Sequence, residues 1–98
     1  MPVNHELTNI IKARVIRRFK ESGGELVISF HDGSAMKIRD METNSPPLAL
    51  GAQIKEVEEE GAGFTIRCED GTSLSMELTI PGSSVSVRDE NEQVEYLG

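Results

Sequence analysis

Asp32 and Asp70, with the two histidines and the single cysteine, are the side chains of this 98-residue chain that stand out as candidates for catalysis. Asp32 and Asp70 would form a carboxylate pair suited to acid–base work if one of them held its proton. Each stands before a glycine, in Phe30-His31-Asp32-Gly33-Ser34 and in Cys68-Glu69-Asp70-Gly71-Thr72. Asp-Gly between alternating runs predicts a tight two-residue hairpin, in which the short carboxylate accepts hydrogen bonds from neighbouring amides. That role accounts for both residues. Cys68 would need a base beside it to act as a nucleophile. It occupies the place that Phe30 holds in the earlier phrase, so it is expected to be a small core residue. His31 falls on the solvent-facing parity. The histidines and the cysteine have no metal-ligand spacing, and no Gly-Lys-Ser or Gly-Lys-Thr closes a phosphate loop. The chain is expected not to be an enzyme and to use no cofactor or metal.

The other candidates are charges. Arg14, Arg17, Arg18 and Lys20 crowd one short stretch, and Glu56, Glu58, Glu59 and Glu60 crowd another. Residues 1–49 hold seven Lys/Arg and six Asp/Glu, a net of +1, and residues 50–98 hold three and eleven, a net of −8. Such stripes are often no more than solvated faces. If they face each other, within the chain or between copies, they would set register and partner choice more than affinity.

The elements that position them follow from periodicity. Leu26, Ile28 and Phe30 alternate with Val27, Ser29 and His31, the pattern of a strand with one buried face. Met36 and Ile38 resume it after the turn. The phrase returns 38 residues later, and from Ile16 to Ile38 six of 23 positions are identical in that register: Ile16, Glu21, Gly23, Ile28, Asp32 and Gly33. Ile16 and Phe19, like Ile54 and Val57, are three apart, which a regular strand cannot place on one face. A β-bulge, adding one residue to a strand, restores the phase. The reading is therefore two copies of a three-stranded meander, over 13–21, 25–31 and 34–40 and over 52–60, 64–69 and 72–80. A short helix over 5–12 precedes them, with Asn4 as its N-cap. An extended linker with Pro46-Pro47 joins them, and 85–87 with 94–97 make a closing hairpin. The fold class is mainly β: one domain, 1–98, a small antiparallel barrel or sandwich with a C-terminal hairpin and a short N-terminal helix.

A net charge of −7 disfavours direct binding to nucleic acid. No apolar run approaches a membrane span, and no signal-like segment opens the chain, so the expected compartment is the cytoplasm. With four aromatic residues, three Phe and one Tyr, the core must be aliphatic and thin, and a partner subunit would strengthen it. The leading expectation is a protein-binding or oligomerisation module whose partner is another copy of itself. A second is a small acidic inhibitor that presents 56–60 and 89–95 in place of nucleic-acid phosphates. A third is a barrel that holds a small ligand among Met36, Phe64 and Met76.

Overall fold

The structure is a computed structural model that describes residues 3–39, 49–80 and 82–98. Helix α1 spans His5–Ile11, and Asn4 caps it by accepting a hydrogen bond from the Leu7 amide on its Oδ1 at 3.0 Å. Its buried face, Leu7, Thr8 and Ile11, is the i, i+1, i+4 set that a short helix turns inward. The strands are β1 (Ile16–Ser22), β2 (Glu25–Phe30), β3 (Ala35–Arg39), β4 (Ile54–Glu60), β5 (Gly63–Cys68), β6 (Ser73–Glu77), β7 (Val85–Arg88) and β8 (Val94–Leu97). The first two strands of each meander begin or end within a few residues of the expected bounds. The linker expected around Pro46-Pro47 lies outside the described residues.

The strands form two antiparallel sheets, β1-β2-β3-β7-β8 and β4-β5-β6, and not the closed barrel that was one of the two expected forms. Full-length pairing does not run round from one sheet to the other. They are stitched instead by a short ladder: the Ala13 amide donates to Ile54 O at 2.9 Å, Ile54 to Arg14 O at 3.0 Å, Ile16 to Ala52 O at 2.9 Å and Gly51 to Ile16 O at 2.7 Å. Ala13 adopts φ 71° at this crossing, which is why β1 starts at Ile16 and not at residue 13. One core serves both sheets. Ile16, Leu26, Ile28, Phe30, Met36 and Ile38 enter it from one side, and Ile54, Val57, Phe64, Ile66, Cys68 and Met76 from the other.

Both first strands carry the expected bulge. The register shifts between Ile16 and Arg18 and again between Ile54 and Glu56, so Arg17 and Lys55 are the extra residues. Ile16 and Phe19 then both reach the core, as do Ile54 and Val57.

The Asp-Gly turns differ from the expected two-residue form. Gly33 and Gly71 do take positive φ, 91° and 89°, but Asp32 and Asp70 do not. A two-residue type I′ turn requires positive φ at both central positions. The bonds from Gly33 N to Phe30 O at 3.1 Å and from Phe30 N to Ser34 O at 2.9 Å show a type I turn followed by a left-handed glycine. The aspartate favours this form because its side chain stabilises the ordinary type I conformation at its own position. Asp32 Oδ1 accepts from the Ser34 amide at 2.9 Å and Asp70 Oδ1 from the Thr72 amide at 2.9 Å. The two-residue turn occurs instead at Gly23-Gly24, with φ 58° and 80°, between the paired Ser22 and Glu25.

Candidate site: two charged sheet faces

Cross-strand pairing assigns each side chain to a face, because partners opposite one another share it. On the five-stranded sheet one outward row runs Lys20, Val27, Lys37, Ser86 and Leu97, and the next runs Arg18, Ser29, Ala35, Arg88 and Val94. Glu25 and Arg39 form a further pair. Arg18, Lys20, Lys37, Arg39 and Arg88 are all exposed, with Glu25 as the one carboxylate among them. This face is basic, although the chain as a whole is acidic. Val94 and Leu97, 48% and 71% exposed, give it an apolar margin.

The three-stranded sheet has the opposite sign. Its rows on the side away from the core are Glu58, Thr65 and Ser75, of which Glu58 and Thr65 are buried; Glu56, Arg67 and Ser73; and Glu60, Gly63 and Glu77. Arg67 stands among the glutamates, hydrogen-bonded through Nε to Glu58 Oε1 and 3.9 Å from Glu56. That hydrogen bond and the adjacent positive charge hold the Glu58 carboxyl below its ordinary range, against the opposing effect of burial.

The eight charges singled out in the sequence therefore separate into groups. Arg17, Arg18 and Lys20 line the edge strand of the basic sheet. Glu56, Glu58 and Glu60 share the acidic face. Glu59 falls on the other parity, opposite Phe64, where Asn4 Nδ2 donates to its Oε2 at 2.8 Å and to the Tyr96 hydroxyl at 3.0 Å. Arg14 is a structural clamp. It donates twice to Glu95, at 2.8 and 3.0 Å, and once to Ser34 Oγ at 3.0 Å, and lies 3.4 Å from Asp32. Among the described residues no carboxylate lies within 4.0 Å of Arg17, Arg18 or Lys20, so the two stripes do not meet inside the chain.

Two clefts open on the basic side. One of about 330 Å³ lies over β3 and β7 among Lys37, Arg39, Arg88, Ser83 and Ser86, and one of about 200 Å³ lies beside Arg17, Arg18 and Ser29. Lys37, Arg39 and Arg88 were not singled out in the sequence. Alternation in Met36-Lys37-Ile38-Arg39 puts the first two on the polar parity, but only the pairing of β7 with β3 brings Arg88 beside them.

The remaining candidates lie apart from these faces. Asp32 and Asp70 are tied into their own turns. Burial pushes the Asp32 carboxyl up, but the Ser34 hydrogen bonds and the Arg14 charge outweigh it, and the net shift is down. The Thr72 hydrogen bonds lower Asp70 likewise. Cys68 belongs to the core, and burial raises its thiol. His31 is exposed at its turn. Met36, Phe64 and Met76 are packed in the core, and neither cleft is lined by any of them. Among the described residues, no helix is long and apolar enough to cross a membrane. No protein-family model, curated protein or solved structure matches the chain.

Proposed function

We propose that this is a non-enzymatic protein-binding module that assembles with copies of itself, the basic stripe of β1 on one copy meeting the acidic sheet face of another. The observation that carries the reading is the separation of charge. A body of principal extents 29 × 29 × 27 Å bears a basic sheet face and an acidic one, and the arginines of its first strand have no carboxylate partner among the described residues. Opposed faces on one chain suit contact between copies, which closes a ring or a two-fold dimer or continues as a chain. We read the two meanders as copies of one unit whose outer faces have diverged in sign. The acidic-inhibitor reading is weaker, because Arg67 interrupts the glutamates of β4 and Arg14 holds Glu95.

Solution mass by light scattering tests the proposal. A mass above the monomer in dilute buffer should fall in about 1 M salt, where the Debye length is only about 3 Å. The pair Arg17→Glu with Arg18→Glu should lower it in the same way at low salt. A mass indifferent to both would leave the stripes as solvated surface and favour the acidic inhibitor instead.

A further inference from the structure

The larger cleft has a chemistry of its own. Lys37 and Arg39 project outward from alternate positions of β3, and Arg88 and Ser86 project from β7, with Ser86 directly opposite Lys37. Among the described residues none of the three cations has a carboxylate within 4.0 Å; Arg88 spends one N–H on Glu92 O at 3.3 Å. Three cations around one concavity repel each other, and an anion seated between them relieves that repulsion and accepts their hydrogen bonds. Ser84 is not available, since its hydroxyl accepts from the Ile80 amide at 2.8 Å and donates to Ile80 O at 2.7 Å. Ser83 and Ser86 line the same cleft and have hydroxyls to offer. Among the side chains of the lining, three are cationic and one, Glu25, is anionic.

We infer that this cleft binds a small organic phosphate monoester. A doubly charged phosphoryl group suits a cluster of three cationic side chains, with Lys37, Arg88 and Ser86 around its oxygens. The cleft is larger than an inorganic ion needs: its volume of about 330 Å³ falls in the range of small-molecule sites. Glu25, at the Arg39 end, can accept hydrogen bonds from hydroxyl groups, and Leu97, on the rim, offers an apolar wall. A hydroxylated carbon skeleton carrying one phosphate fits both. A duplex nucleic acid fits less well, since Glu25 would face its phosphates and no aromatic ring lines the cleft on which a base could stack.

Amide shifts in two-dimensional NMR test this inference apart from assembly, because the β1 arginines lie outside the cleft. Ribose 5-phosphate, titrated into the full chain, should give saturable shifts confined to the cleft, at residues 25, 37–39, 83–88 and 97–98, with tighter binding than inorganic phosphate or acetate. Lys37→Gln and Arg88→Gln, both at exposed positions, should keep the spectrum of a folded protein and each weaken binding by about tenfold. Arg17→Gln with Arg18→Gln should bind as the wild type does. Shifts that never saturate, or that survive Lys37→Gln with Arg88→Gln, would overturn the inference. So would tighter binding of a short DNA duplex with shifts spreading to Arg17 and Arg18, which would mark the whole face as a binder of phosphate backbones.

Discussion

The two meanders share their backbone geometry and differ almost everywhere that geometry does not constrain. Adding 38 to the bounds of β1, β2 and β3 gives the bounds of β4, β5 and β6. The same shift turns the bond from His31 N to Val15 O, 3.0 Å, into that from Glu69 N to Gln53 O, 2.8 Å. Inside, the phenyl rings stand at different places: β2 turns Leu26 and Phe30 into the core, and β5 turns Phe64 and Cys68. A close-packed core constrains total volume more tightly than it constrains any one side chain. Outside, Arg18 and Lys20 correspond to Glu56 and Glu58. An outward position on a pleat is held only by solvent and by its cross-strand neighbours, so its sign is free to change. The edges differ too. α1 covers β4, with the Asn4 amide donating to Val57 O at 2.8 Å and the Thr8 hydroxyl accepting from Val57 N at 3.0 Å, whereas β7 covers β3.

The largest test of this likeness lies in the core. Ile28→Ala and Ile66→Ala remove equivalent, fully buried side chains from the central strand of each meander. Each should cost about 2–5 kcal/mol in denaturant unfolding, and the two should agree to within about 1 kcal/mol. A gap of several kcal/mol would mean that the halves do not share the core equally.

The turn glycines should break the likeness in a stated direction. Gly33→Val and Gly71→Val both force a β-branched residue to φ near 90°, costing each about 1 kcal/mol or more. A Cβ on Gly33 would also stand 2.8 Å from Glu90 Cβ, while one on Gly71 meets nothing within 4 Å. The Gly33 variant should therefore melt lower. Equal melting points would show that Glu90 moves aside freely.

Much of this was legible in the sequence, for local reasons. Alternation in 25–30 and 63–68 set the inward parity, and the Ile16/Phe19 and Ile54/Val57 spacings required a bulge. Asn4 before an apolar pattern marked the helix start. The Asp-Gly turn was located correctly but given the wrong form, because Asp-Gly serves both a two-residue turn and a type I turn with a left-handed glycine. The local hydrogen bonds of Asp32 and Asp70 decide between them. Long-range partners were not legible. Nothing near Arg14 announces Glu95, which reaches it only through the pairing of β8 with β7, and nothing near Lys37 announces Arg88. Membership of the basic stripe by sequence neighbourhood misplaced Arg14, because it precedes the bulge and points to the turn and to β8.

A smaller effect, shared by the two turns, should appear with pH. Asp32 and Asp70 both have carboxyls lowered in the folded state, so their stabilisation is present above the unfolded value, near about pH 4, and is lost as pH falls through the folded value. Thermal melts between about pH 5 and pH 2 should show stability declining with acid. Asp32→Asn with Asp70→Asn should flatten that decline. An unchanged slope would assign the acid sensitivity to other carboxylates.

The opposite signs of the two sheet faces can be tested by exchanging them. One variant carries Arg17→Glu with Arg18→Glu, reversing two exposed charges of the β1 stripe, and a second carries Glu60→Lys with Glu77→Lys, reversing two exposed charges of the acidic face. Neither alone should reach the wild-type mass by light scattering in dilute buffer. An equimolar mixture of the two should recover association, and added salt should dissolve it. Mixtures that remain monomeric, where the wild type is larger, would show that assembly does not run through these faces.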